Sequence, residues 1–143
     1  MSIKQLSIFV ENRKGCLEEV LEILKNENIN IVSLSLADTS DYGLLRLLVS
    51  DPAKGKEALK ENGFSAMLTE ILAVKLNHKV GKLQELLSVI CDAGINIEYM
   101  YALSTGSDDA SIAIKTSDLS KAMEILEKTG NVEFITDQDI ANI

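Results

Sequence analysis

The sequence predicts an α+β protein built from two copies of one unit, each in the order βαββαβ. The chain repeats itself with a shift of 66 positions, which places Gly15 on Gly81 and the Ile-Asn-Ile run 29–31 on the same run at 95–97. Each copy also combines strand-like alternation with segments of helical periodicity. We therefore expect two domains, which cover residues 1–70 and 71–143.

The first strand and first helix of each copy follow from the spacing of apolar residues. The strands have apolar residues at alternate positions, namely Leu6, Ile8, Val10 and Leu72, Val74, Leu76. The helices carry one apolar stripe at the spacing i, i+3, i+4, i+7, formed by Leu17, Val20, Leu21, Leu24 and by Leu83, Leu86, Leu87, Ile90. Asn28 and Gly94 should end these helices, because both residue types tolerate the left-handed conformation of a C-terminal cap.

A hairpin, a second helix and a last strand complete each copy. The second strands are expected at 29–37 and 95–103, the third at 44–49 and 110–116, and the last at 64–70 and 132–136. The second helices begin at Asp51-Pro52 and Ser117-Asp118 and end before Gly63 and Gly130. This order is the ferredoxin-like arrangement, an antiparallel sheet with both helices on one face. We expect two such units side by side, without a linker.

Composition and charge argue against several classes of partner. The chain has 14 Lys and Arg against 22 Asp and Glu, a formal charge of −8, and 4% aromatic residues. It therefore lacks the basic, aromatic surface of a nucleic-acid-binding module. No apolar run approaches the roughly 20 residues that span a bilayer, and no targeting signal is evident. Cys16 and Cys91 are isolated, which predicts no disulfide. We expect a cytoplasmic protein that binds neither nucleic acid nor membrane.

The sequence offers no catalytic set. His78 is the single imidazole, so every mechanism that needs a histidine base depends on it. None of the common nucleophile, phosphate-binding or dinucleotide-binding motifs is present. One histidine and two separated cysteines also make a poor transition-metal site. We expect no enzymatic activity, no cofactor and no bound metal.

The turns between first strand and first helix, residues 10–17 and 76–83, carry the most specific pattern. In each turn a polar residue stands three positions before a glycine, a leucine stands two positions after it, and Ile-Asn-Ile follows one helix later. This pattern resembles the ACT domain, a small regulatory module that senses amino acids in metabolic enzymes. The run 95–102 resembles the stand-alone tandem ACT proteins. The resemblance implies a non-catalytic, allosteric sensor of a free amino acid, with a homodimer or a regulated metabolic enzyme as its partner.

A free amino acid presents a carboxylate and an ammonium group, so its receptor needs amide donors beside carbonyl acceptors. A helix N-terminus supplies the donors. We expect free backbone amides at the two helix starts, at Gly15, Cys16, Leu17 and at Gly81, Lys82, Leu83. The Asn12 side chain can serve either group of the ligand. From spacing alone, Asn12 could equally be an N-cap or turn residue, and Gly15 a close-packing residue.

The strand order 4-1-3-2 implied by the resemblance makes the second strand of each copy an edge, and an edge strand tends to recruit a partner. If the two edges pair antiparallel, each Ile-Asn-Ile run approaches the turn of the other copy. The first junction site should then consist of Asn12, Arg13, Lys14, Gly15, Cys16, Leu17, Asn96 and Ile97. The second should consist of Asn30, Ile31, His78, Val80, Gly81, Lys82 and Leu83.

The two junction sites should not be equal. Asn12 matches the Asp/Asn position of the family, although Lys14 replaces the common proline. In the second turn, His78 and Val80 replace both positions. We therefore expect the first junction site to bind the ligand better.

An alternative function is a protein-protein interaction or oligomerisation module without a small-molecule ligand. In that case the edge strands simply recruit another protein or a second copy of the chain. Tyr99 and Tyr101 are expected on one side of their strand with Ile95 and Ile97. The first role expected for these tyrosines is packing, and the second is to form a pocket for the side chain of the ligand.

Overall fold

The computed structural model of the chain describes residues 2–38, 41–76, 79–103, 110–130 and 132–143. The chain divides into two compact units. The N-terminal unit comprises Lys4–Thr69 with Ile140–Ile143, and the C-terminal unit comprises Glu70–Asp139 with residues 2–3. Both are α+β units of antiparallel strands and helices, which confirms the predicted fold class. No helix in the described ranges is both long enough and apolar enough to cross a bilayer.

The strand order in each unit is the ferredoxin-like one. The N-terminal unit contains all but the first residue of β1 (Ile3–Glu11), α1 (Cys16–Asn26), β2 (Ile31–Asp38), β3 (Tyr42–Val49), α2 (Pro52–Glu61) and the first part of β4 (Ser65–Leu76). Its strands lie in the order β2-β3-β1-β4. The C-terminal unit contains the rest of β4, α3 (Lys82–Asp92), β5 (Ile97–Leu103), β6 (Ala110–Thr116), α4 (Leu119–Thr129), β7 (Glu133–Phe134) and most of α5 (Asp137–Ala141). Its strands lie in the order β7-β4-β6-β5, so β2 and β5 are the edges.

Strand β4 ends one copy and begins the next without interruption. It is 12 residues long, and the boundary between the units falls between Thr69 and Glu70. Leu68 packs against the core of the N-terminal unit, whereas Leu72 and Val74 lie in the core of the C-terminal unit. The expectation that no linker separates the copies is therefore confirmed.

Each unit has an aliphatic core between its sheet and its two long helices. In the N-terminal unit the core joins strand residues such as Leu6 and Leu47 to helix residues such as Leu24 and Leu59. All four have no solvent exposure. The apolar stripes from which the helices were predicted face this layer. Packing of the stripes against the sheet stabilises the helices.

A β-bulge near the start of each edge strand changes which side its side chains face. The register shifts between Ile31 and Ser33 in β2, and between Ile97 and Tyr99 in β5. After the bulge, Met100 packs against the core with Ile97, while the neighbouring Tyr99 and Tyr101 are outside the core cluster. The expectation that both tyrosines share one side with Ile97 is wrong, because the extra residue of a bulge inverts the alternation.

The helix ends follow the sequence signals. Asn28 (φ 57°) and Gly94 (φ 77°) adopt the left-handed conformation just after α1 and α3. At the starts of α2 and α4, the Asp51 and Asp118 carboxylates each accept a 3.1 Å hydrogen bond from the third backbone N–H that follows. These are the N-caps that the sequence predicts.

The short helix α5 was not predicted. Strand β7 is only two residues long, because the chain leaves it to form a reciprocal cap at Thr136. The backbone N–H of Thr136 donates to Asp139 Oδ2 (2.9 Å), its hydroxyl donates to the same oxygen (3.0 Å), and the Asp139 N–H donates back to Thr136 Oγ1 (3.2 Å). The bonds from Thr136, first that of its backbone, lower the pKa of Asp139. The spacing Thr-x-x-Asp is a capping-box pattern that could have revealed this helix.

We expect the Thr136→Val variant to raise the pKa of Asp139 part of the way to its ordinary value, because it removes the hydroxyl donor but keeps the backbone donor. An NMR titration of the carboxyl carbon measures this. Since the folded pKa is the lower one, the cap stabilises the folded state above the ordinary pKa of about 4, and this contribution is lost as the pH falls through the lowered value. Thr129→Val is the control, because the Thr129 hydroxyl donates to the Leu126 carbonyl instead. An unchanged Asp139 pKa in Thr136→Val would contradict this account.

One polar group in the core carries a second prediction. Among the described residues, Thr116 Oγ1 is the one buried side-chain oxygen or nitrogen without a hydrogen-bond partner. The repeat places Val49 at the equivalent position. Thr116→Val keeps the shape and removes an unpaired hydroxyl, so we expect the free energy of unfolding to rise by about 1 kcal/mol in urea denaturation. Val49→Thr is the reverse change and should lower it by about 1–3 kcal/mol. A less stable Thr116→Val protein would show that the hydroxyl has a partner.

Candidate functional site

The first turn links β1 to α1 through residues 12–15, and its backbone bonds hold it in one shape. The Asn12 N–H donates to the Asp41 carbonyl (3.1 Å), and the Arg13 N–H donates to the Glu11 carbonyl (2.8 Å). Gly15 is the N-cap of α1, with φ 89° and no side-chain cap. Asn12 is therefore not the N-cap, and its exposed side chain has no hydrogen-bond partner among the described residues.

The second turn has the same backbone conformation at its glycine. Gly81 is the N-cap of α3 with φ 88°, again without a side-chain cap. A Cβ atom on either glycine would meet no atom within 4 Å, so the positive φ, rather than close packing, requires glycine at both positions. Gly15 is therefore not a close-packing residue. His78 lies outside the described residues.

The start of α1 offers backbone donors, but not all of those expected. The Cys16 N–H is already directed at the Arg13 carbonyl (3.4 Å), and the Lys82 N–H at the Lys79 carbonyl (3.2 Å). The N–H groups of Leu17 and Glu18 have no partner among the described residues. They lie in the first turn of the helix, where the dipole favours an anion. Of the three amides predicted at this helix start, that of Cys16 is engaged and that of Leu17 is free, and Glu18 adds a free amide that was not predicted.

Charged and aromatic side chains border the first turn. The Arg13 guanidinium contacts the Glu11 carboxylate (3.0 Å), and this hydrogen bond is the main reason that the pKa of Arg13 is raised. Both side chains are more than half exposed, so the pair contributes little to stability. A cleft of about 290 Å³ lies beside them, lined by Phe9, Glu11, Arg13, Cys16, Glu19, Tyr42, Asn62, Gly63, Phe64 and Ser65. Of the residues predicted for the first junction site, Arg13 and Cys16 face this cleft.

The second turn is more apolar. Val80 is fully exposed, and with Lys79, Lys82 and Leu83 it borders an open cleft of about 360 Å³. Lys82 Nζ forms an ion pair with Glu85 (3.2 Å). This turn thus presents an apolar surface at the position where the first turn presents Lys14.

The two Ile-Asn-Ile runs are held by matching pairs of hydrogen bonds. The Asn30 N–H donates to Ser50 Oγ (2.9 Å), and the Ser50 N–H donates to the Asn30 carbonyl (2.9 Å). Asn96 and Ser117 form the same pair, at 3.0 and 2.9 Å. Ser50 and Ser117, of which only Ser117 was predicted to take part in a helix start, therefore fix the backbone of both asparagines.

The side chains of the two Ile-Asn-Ile runs differ in whether they are free to contact a ligand. Ile31 and Ile97 are partly buried and pack against the cores, so they present mainly backbone to a ligand. Asn30 Nδ2 donates to the Ile143 carbonyl (3.1 Å). The exposed Asn96 side chain has no partner in the part of the chain that the structure describes.

Within a unit, the turn and the Ile-Asn-Ile run lie at opposite ends of the sheet, as expected. Glu11 pairs with Tyr42 and Ile31 pairs with Val49, which separates the two ends by the length of β3, about 23 Å at the usual rise per residue. In the strand order of the described residues, β2 lies beside β3 and β5 lies beside β6, each at an edge. The expected pairing of these two edges is therefore not among the described hydrogen bonds of the chain.

The family assignment follows from the whole chain. The family model for the ACT domain pair matches residues 1–143, so the chain belongs to the family of ACT domain pairs. No curated protein matches the chain. A solved structure from Bacteroides thetaiotaomicron is 37% identical, with a TM-score of 0.93 over 100% of this chain and 98% of that chain.

Two more distant structures share the fold. The ligand-free regulatory subunit of aspartate kinase from Thermus thermophilus is 14% identical, with a TM-score of 0.61 over 87% of this chain and 91% of that chain. The corresponding subunit from Thermus flavus is 17% identical, with a TM-score of 0.61 over 89% and 92%. None of these matches indicates a catalytic family, and the described residues contain no group of three or more potential metal ligands.

Proposed function

We propose that this ACT domain pair is a non-catalytic regulatory module that binds a free amino acid at the turn between β1 and α1. The observation that carries the proposal is the first turn itself. It combines the free amides of Leu17 and Glu18 with the unpartnered side chain of Asn12. An α-carboxylate can accept from these amides, and the Asn12 amide oxygen can accept from the ammonium group.

The proposed site is completed by an Ile-Asn-Ile run from another copy of the chain. Within one unit the turn and the run are too far apart to share a ligand, and β2 and β5 are open edges. Pairing β2 of one chain with β5 of another would place Asn96 beside the Asn12 turn. The proposed module is thus a cytoplasmic homodimer that reports amino-acid concentration to a metabolic enzyme.

A thermal-shift screen with the twenty standard amino acids, followed by calorimetry, tests the proposal. A ligand that binds only the folded state raises the free energy of unfolding by about 2.7 kcal/mol at 100 times its Kd. Absence of a shift with every amino acid at millimolar concentration would reject the proposal. D-amino acids serve as the control, because a site that contacts the carboxylate, the ammonium group and the side chain of the ligand should discriminate the enantiomers.

The second candidate is an interaction module without a small ligand. The exposed side chains of Leu34 and Leu36 on the β2 edge favour it, since an apolar edge recruits other chains. Light scattering after size exclusion separates the two functions. An oligomer that forms identically with and without amino acids, together with a negative screen, would support the interaction module.

A further inference from the structure

We propose that the segment Ile140–Ile143 closes the second of the two sites, so that each chain binds one amino acid rather than two. This inference rests on the proposed function. It concerns Asn30, which the sequence assigns to the second junction site together with the turn at Gly81. The structure shows that the Asn30 side chain is already engaged.

The contact is specific to one copy of the repeat. Asn30 Nδ2 donates one of its two hydrogens to the Ile143 carbonyl oxygen, at an N–O distance of 3.1 Å. The equivalent Asn96 has the same backbone bonds to its serine but no described side-chain partner. Two asparagines that the repeat makes equivalent therefore differ in one feature, the chain segment that lies against the first of them.

The segment Ile140–Ile143 is held in position by its own packing and by the helix that leads into it. Ile140 is only 4% exposed, and Ile140–Ile143 belong to the same compact unit as Asn30. The Ile143 N–H is directed at the Ile140 carbonyl (3.4 Å). The reciprocal cap between Thr136 and Asp139 fixes the start of α5, which leads directly into the segment. Moving this segment away from Asn30 costs the hydrogen bond and the burial of Ile140.

Asn30 also borders space that a ligand could use. An open cleft of about 410 Å³ is lined by Leu21, Lys25, Asn28, Ile29, Asn30 and Ile31. The Lys25 ammonium gives this cleft a cationic group suited to a carboxylate. A ligand group that takes the place of the Ile143 carbonyl on Asn30 Nδ2 has to displace the segment, and its apparent affinity is then reduced in proportion to the population of the displaced form.

The experiment compares the full chain with a variant that lacks residues 140–143, and with Ile143→Ala as the matched control. Ile143→Ala keeps the backbone acceptor and changes a side chain that is 44% exposed. Calorimetric titration with each of the twenty standard amino acids gives the stoichiometry. NMR hydrogen exchange of the Asn30 side-chain amide reports the contact without any ligand. If the deletion unfolds the N-terminal unit, Ile140→Ser in the full chain replaces it.

We expect one ligand per chain for the full chain and for Ile143→Ala, and two for the variant in which the segment is released. The Asn30 amide should exchange at least tenfold faster in that variant. Two ligands per chain in the unmodified protein, or one ligand after the Asn30 amide has been released, would overturn the closure alone. No binding of any amino acid to any of the proteins would overturn the proposed function, and the closure with it.

Discussion

Replacing Leu47 with alanine is expected to lower the free energy of unfolding of the N-terminal unit by about 3 kcal/mol. Leu47 lies on β3, has no solvent exposure and belongs to the core cluster of that unit. It pairs with Leu6 on β1 and with Leu34 on β2. Removing three carbon atoms at this position loses their transfer free energy and leaves a cavity that strands on both sides keep open. Urea denaturation followed by circular dichroism measures the change.

The control for Leu47→Ala is Leu34→Ala, on the same side of the sheet and one strand away. Leu34 is 53% exposed and is not among the residues that pack against the core. Its truncation should cost less than about 1 kcal/mol, since little apolar surface is lost from the core. Equal losses for the two variants would mean that Leu34 is buried in solution, and a concentration-dependent loss for Leu34→Ala alone would indicate that β2 pairs with another chain.

Most of the fold could be predicted because the sequence pattern of the folding unit occurs twice in the chain. A single apolar stripe such as the one at Leu17 to Leu24 is ambiguous, but its recurrence at Leu83 to Ile90 requires one structure to explain both. The caps at Asp51 and Asp118 recur in the same way. Where both copies agree, local propensity and global fold point to the same answer.

The features that were missed have no such second copy, or depend on atoms that a sequence does not place. The bulges before Ser33 and Tyr99 arise from hydrogen-bond register, which composition does not report. The helix α5 has no counterpart after the first copy, because there β4 continues instead. The contact between Asn30 and the Ile143 carbonyl joins residues 113 positions apart through a backbone atom, for which no side-chain pattern exists.

The positions of the two turns could be predicted from the sequence, but the backbone and side-chain groups that are free to bind a ligand could not. Spacing alone identifies Gly15 and Gly81, but the reason for glycine at these positions, a positive φ, comes only from the structure. Spacing does not identify the free amides, because whether the Cys16 N–H turns back to the Arg13 carbonyl depends on the tightness of the turn. Likewise, sequence equivalence of Asn30 and Asn96 says nothing of which side chain is available.

Asn12→Ala is expected to weaken the binding of the amino acid by about ten- to a hundredfold, which corresponds to about 1.4–2.8 kcal/mol. The Asn12 side chain has no described partner in the free protein, so its removal should leave the fold intact, and the loss reports the ligand contact. Calorimetric titration with the amino acid that stabilises the unmodified protein most measures the change. An unchanged affinity would remove Asn12 from the site.

Two further variants make the Asn12 experiment decisive. His78→Ala should weaken the same ligand less, because the second turn carries His78 and Val80 in place of the family's residues and because Asn30 is engaged. Asn96→Ala should weaken it as Asn12→Ala does if both side chains contact one ligand. In that case the double variant loses less than the sum of the two, with a coupling of about 0.5–3 kcal/mol. Strict additivity would show that Asn12 and Asn96 act at separate places, and the pairing of β2 with β5 would then not form the site.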